Sequence, residues 1–110
     1  MRNIILALVF IMTISFGYEP SKEDIKLASE GDPDEQTYIA SLYYKKKDYE
    51  KAFFWYEKAA MQEDDMAQYF LAVMYDKGKY VKKDYQKAIF WYEKAANNGD
   101  SASQIILTIL

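Results

Sequence analysis

Two carboxylates, Glu57 and Glu93, are the residues of this chain whose type and spacing come nearest to a catalytic pair. They stand 36 positions apart. A facing pair of carboxyl groups can cleave a glycosidic bond, one acting as acid and the other as base or nucleophile. The acid must sit in a pocket that raises its pKa. Both glutamates fall instead in the segment Trp-Tyr-Glu-Lys-Ala-Ala, each beside a lysine, and read as solvated helix faces. Composition removes the other kits. With no histidine and no cysteine, a Ser-His-Asp or Cys-His arrangement cannot be built. Nitrogen and sulfur ligands for a metal are missing as well. The four glycines are scattered, so no phosphate-cradling loop is present. None of Ser15, Ser21, Ser29, Ser41, Ser101 or Ser103 has a lysine three places on, which leaves no Ser-x-x-Lys nucleophile. No catalytic residue, cofactor site or metal site is assigned.

The glutamates recur because their surroundings recur. Asp48–Asp64, DYEKAFFWYEKAAMQED, matches Asp84–Asp100, DYQKAIFWYEKAANNGD, at 12 of 17 positions. Asp48 can accept from free N–H groups of a first helical turn. Ala52, Trp55, Tyr56, Ala59 and Ala60 then share one face, at i, i+3, i+4, i+7 and i+8. Ala88, Trp91, Tyr92, Ala95 and Ala96 repeat it. The alanines let a neighbouring helix approach and the aromatics fill the gaps. Ala52, Trp55, Tyr56, Ala59, Ala88, Trp91, Tyr92 and Ala95 are therefore the expected repeat core.

Each such helix, B, follows another, A. Pro33–Tyr43 and Asp65–Tyr75 align with a shift of 32, pairing Gln36 with Gln68, Ile39 with Leu71, Ala40 with Ala72 and Tyr43 with Tyr75. A pair that cannot bury its apolar face alone stacks on copies of itself. Lys26–Asp32 resembles the end of a B helix, and Ser101–Leu107 begins a third A helix with Gln104 in register. The expected organisation is a B-like helix at 21–31, repeat one at 32–63, repeat two at 64–99 and a partial third repeat at 100–110. Nothing in the sequence covers the final Ile-Ile-Leu-Thr-Ile-Leu, which leaves open a truncated array, docking of this apolar end on a partner, or self-association with a second copy.

Residues 1–17 have a different character. Met1-Arg2-Asn3 is followed by an apolar run, Ile4–Met12, and then Ser15-Phe16-Gly17. A charged start, a short apolar core and a small-x-small site describe a signal peptide, and the run is too short to cross a bilayer. The expectation is an exported protein, periplasmic or secreted, with domain 18–110 and no stable membrane insertion after cleavage. With no cysteine, packing alone must hold it together. The formal net charge of −3 argues against nucleic acid, which calls for clustered cations.

The B helix, Asp84, Lys87, Ala88, Trp91, Tyr92, Lys94, Ala95 and Ala96 followed by Gly99-Asp100, closely resembles the SEL-one-like repeat (SLR), a branch of the tetratricopeptide-type solenoids. Ala67, Gln68, Leu71 and Tyr75 match its A helix. The family's A–B loop often reads Gly-x-Gly-Val-x-x-Asp. Here it reads Gly78-Lys79-Tyr80-Val81-Lys82-Lys83-Asp84, with tyrosine in place of the second glycine. The first unit lacks the Gly-Val segment and is four residues shorter. The resemblance implies an all-α fold, a short right-handed α-solenoid of antiparallel helix pairs. It implies a non-catalytic module that binds a protein or peptide. The alternative it implies is a β-lactamase, or a β-lactam- or cell-wall-fragment-binding protein of the exported SLR type, although this chain lacks the cysteine pairs of that branch.

One row of residues lies off the packed face of the A helices: Tyr38, Phe70 and Ile106, one per repeat. These are the candidate partner-binding residues, either anchoring a peptide in a concave groove or filling the space between repeats. Phe54 and Phe90, on the B helices, are expected to be covered by neighbouring repeats, since exposed large aromatics are unfavourable. Gln36, Gln68 and Gln104 read as capping or surface residues that could also meet peptide backbone.

Overall fold

The computed structural model describes residues 19–110; the expected signal segment, 1–17, lies outside the described residues. Among those described there are six helices and no strand: α1 Lys22–Ser29, α2 Pro33–Lys45, α3 Tyr49–Met61, α4 Asp65–Lys77, α5 Tyr85–Asn97 and α6 Ser101–Ile109. The fold is all-α, a solenoid of helix pairs, and no described helix is long and apolar enough to cross a membrane.

The helix starts are set locally. Five helices begin after an aspartate whose carboxylate accepts from a first-turn N–H. Asp64 accepts from Ala67 N at 2.8 Å and Asp100 from Ser103 N at 2.7 Å. Asp32 accepts from both Asp34 N and Glu35 N, with Pro33 in the first turn where its missing N–H costs nothing. Helix α1 opens on a reciprocal Ser21–Asp24 capping box. Each aspartate cap contributes about 1 kcal/mol.

The turns repeat too. Between each B helix and the next A helix one residue has a left-handed backbone: Gly31 (φ 103°), Glu63 (φ 66°) and Gly99 (φ 99°). The capping aspartate that follows donates its N–H back to the preceding helix, Asp32 to Leu27 O, Asp64 to Ala59 O and Asp100 to Ala95 O. Glu63 thus occupies a place that glycine holds in the two equivalent turns. The A–B connections differ in length as the sequence implies: residues 46–48 in the first unit and 78–84 in the second. Tyr80 has a left-handed backbone, with φ 66°, and its ring lies 5.6 Å from that of Phe53.

Consecutive helices pack in series, most closely within the pairs α2–α3 and α4–α5. One core cluster holds Ala40, Ala52, Tyr56, Ala59, Ala60, Ala67, Leu71 and Met74; a second holds Ala72, Val73, Ala88 and Tyr92. Six of the eight expected core residues, Ala52, Tyr56, Ala59, Ala88, Tyr92 and Ala95, are buried. Trp55 and Trp91 are half-buried at the edge. Trp91 and Tyr75 pack on both clusters and join the two repeats. Alanine faces allow close approach between helices, and partly buried aromatic rings pack around them.

Candidate functional site

The A-helix row does not stand open as one surface. Phe70 lies against the first core cluster. Its ring stacks on that of Tyr56, with centroids 5.1 Å apart and planes 14° from parallel. The ring of Tyr44 lies 5.8 Å from it. Ile106 packs on the second cluster. Tyr38 is the exposed member, and it borders a groove of about 370 Å³ with Asp34, Thr37, Ser41, Asp64, Asp65 and Met66.

The B helices show the reverse of the expectation. Phe54 and Phe90 are not covered by neighbouring repeats; they are 52% and 50% exposed. Each ring meets the adjacent tryptophan edge-on, at 5.0 Å for Phe54–Trp55 and 5.1 Å for Phe90–Trp91. A lysine ammonium lies near each ring: Lys58 Nζ is 5.0 Å from the Phe54 centroid and Lys94 Nζ is 5.7 Å from that of Phe90. Helical periodicity assigned these phenylalanines a face. It could not say that successive B helices stand far enough apart to leave that face open. Between α1 and α3 lies a groove of about 550 Å³, lined by Phe54, Trp55, Lys58 and Met61 on one side and by Ala28 and Gly31 on the other.

The three glutamines do one job. Gln36 Nε2 donates to Ala28 O at 3.0 Å, Gln68 Nε2 to Ala60 O at 3.1 Å and Gln104 Nε2 to Ala96 O at 3.0 Å. The last carbonyls of a helix have no intrahelical partner. Each A helix therefore clasps the end of the B helix before it, and these amides are engaged with their own chain. A second residue reaches across the first two clasps: Gln62 Nε2 donates to Gln36 Oε1 at 2.9 Å, and Asn98 Nδ2 to Gln68 Oε1 at 2.9 Å.

Glu63 is the residue that sequence reasoning missed. Its carboxylate accepts from Asn98 Nδ2 at 3.0 Å and from Gln68 Nε2 at 3.3 Å, and pairs with Lys94 Nζ at 3.5 Å. Those hydrogen bonds, Asn98 first and Gln68 second, and then the Lys94 charge, hold the carboxyl below its ordinary pKa. The available signal was its alignment with Gly31 and Gly99, where a charged residue replaces a glycine. Glu57 and Glu93 lie exposed on separate helices, α3 and α5.

The comparisons with known proteins agree with this architecture. The family model described as Sel1 repeat matches residues 38–64 and 65–100. A crystal structure of a Sel1 repeat protein from Oxalobacter formigenes superposes with a TM-score of 0.73 at 36% identity, covering 76% of this chain and 65% of that one. A protective antigen of uropathogenic Escherichia coli displaying an SLR fold superposes with a TM-score of 0.72 at 37% identity, covering 76% of this chain and 19% of that one. This chain thus spans less than two thirds of either relative's length. None of the curated proteins matches it. Two matched repeats and a shared solenoid agree with the clasps and caps found here: the chain belongs to the Sel1 repeat family, whose stacked helix pairs serve as protein-interaction modules.

Proposed function

We propose that this chain is a non-catalytic docking module of an exported protein, binding a protein or peptide through the outer face of its B helices. The observation that carries this reading is the repeated exposed phenylalanine. Phe54 and Phe90 stand half in solvent at equivalent places, each backed by a half-buried tryptophan and flanked by a lysine. Aromatic side chains with a fixed apolar backing are the usual anchors of protein interfaces, and exposed aromatics are otherwise unfavourable. The charged start, the apolar run and Ser15-Phe16-Gly17 support export.

The test is affinity capture with the full chain as bait beside the double variant Phe54→Ala, Phe90→Ala. A partner retained by the native chain is expected to be lost by the variant while the melting temperature holds. Equal capture by both would reject the B-helix surface. Hydrolysis of a chromogenic β-lactam by the pure protein, lost on one defined substitution, would reject the non-catalytic reading.

A further inference from the structure

We infer that the groove between α1 and α3 takes up a carboxylate from an acidic segment of a partner protein, with an adjoining apolar side chain of that segment resting on Phe54 and Trp55. This rests on the docking reading above and names the chemistry of the partner. It comes from comparing the α1–α3 groove with the junction between α3 and α5, which is built from the same parts.

At the α3–α5 junction the parts are Phe90, Trp91, Lys94, Asn98 and Gln68, and an acid completes them. Glu63 accepts from Asn98 and Gln68 and pairs with Lys94. In the α1–α3 groove every one of those residues has its equivalent: Phe54, Trp55, Lys58, Gln62 and Gln36. The polar geometry matches as well. Gln62 reaches Gln36 Oε1 at 2.9 Å, as Asn98 reaches Gln68 Oε1 at 2.9 Å. Gln36 and Gln68 each clasp the preceding helix, at 3.0 and 3.1 Å.

The acid is what differs. The place of Glu63 is taken by Gly31, where an added Cβ would meet nothing within 4 Å. Among the described residues Lys58 has no ion pair, whereas Lys94 has Glu63. The groove is therefore open, cationic at Lys58 and apolar at Phe54, Trp55 and Met61. A carboxylate seated there would have the environment that the protein already uses to hold one. Glu57 also lines this groove, but its equivalent Glu93 occupies the same position beside the junction that holds Glu63, so this charge does not exclude an acid. Residues 1–18 contain no Asp or Glu, so that segment cannot supply the carboxylate.

The two tryptophans, Trp55 and Trp91, give one indole N–H reporter for each place. The probes are a blocked pentapeptide Gly-Leu-Glu-Leu-Gly and its glutamine analogue, titrated into the full-length ¹⁵N-labelled chain. The Trp55 indole signal is expected to shift saturably with the glutamate peptide and the Trp91 signal to stay in place. Affinity should fall by about fivefold with the glutamine peptide or in Lys58→Gln, the order expected for one exposed charge contact. In Glu63→Gly, which opens the second place, Trp91 should begin to respond. Equal shifts with both peptides would overturn the acid preference and leave the docking surface standing. No Trp55 shift with either peptide would overturn the groove as a site. A Trp55 shift that depends on protein concentration alone would overturn the inference in favour of a second copy as occupant. Capture of a partner by the Phe54→Ala, Phe90→Ala pair then decides the parent reading separately.

Discussion

The hydroxyl of Tyr92 donates to Asp76 Oδ2 at 3.3 Å, while the equivalent hydroxyl of Tyr56 is buried with no hydrogen-bond partner among the described residues. The two tyrosines occupy one position in successive repeats. The difference arises 32 residues before Asp76, where Tyr44 stands and offers Tyr56 a ring edge, with centroids 6.5 Å apart, in place of a carboxylate.

That contrast predicts opposite effects for one substitution. Tyr56→Phe removes an unsatisfied buried hydroxyl and should raise stability by about 1 kcal/mol, since such a group carries a desolvation cost of roughly that size or more. Tyr92→Phe removes a satisfied hydroxyl and should lower stability by about 1 kcal/mol. Urea denaturation of both variants checks the signs; two shifts in the same direction would refute the assignment.

Alkaline pH should unfold the chain. Burial, followed by the neighbouring Tyr44, raises the Tyr56 pKa, and burial, followed by the Asp76 charge, raises that of Tyr92. The folded state thus keeps protons that the unfolded chain releases above its ordinary tyrosine value of about 10. This stability is complete below that value and is lost as pH rises past it, at up to about 1.4 kcal/mol per pH unit for each such tyrosine. Absorbance at tyrosinate wavelengths should show a late fraction that ionises together with loss of helical circular dichroism. A single ionisation of all tyrosines with the helices intact would contradict this.

The glutamine clasps should differ in strength with burial. Gln68 is fully buried, donates to Ala60 O and accepts from Asn98. Gln68→Ala should cost about 2 kcal/mol, because it removes two hydrogen bonds inside the protein and leaves Ala60 O and Asn98 Nδ2 with only their bonds to Glu63. Gln104 makes the same clasp on the surface, where water can replace it, so Gln104→Ala should cost under about 0.5 kcal/mol. Thermal melts of the pair give the comparison.

Phe70 and Tyr38 should also separate. Phe70→Ala removes a ring stacked on Tyr56 and should destabilise by about 3 kcal/mol, in the range for loss of a packed phenylalanine. Tyr38 is exposed, and Tyr38→Ala should change stability by less than about 1 kcal/mol. Similar melting temperatures for the two variants would mean that Phe70 is no part of the core.

The sequence by itself determined the helices and their order. The aspartate caps, the positive-φ glycines and the 3.6-residue alanine–aromatic stripe act over a turn or two of chain, so they can be read without knowing what packs nearby. The repeat register followed from the same residues, and with it the burial of Ala52, Tyr56, Ala88 and Tyr92. Only the tertiary structure decided which remaining faces are covered. Phe70 turned inward onto Tyr56 while Phe54 and Phe90 stayed in solvent, because coverage depends on the spacing and twist between successive pairs and not on residue type. The bridge from Glu63 to Lys94 and Asn98 belongs to that level as well. It joins residues more than thirty positions apart, and beside Gly31 no acid takes its place, so among the described residues Lys58 lacks the ion pair that Lys94 has.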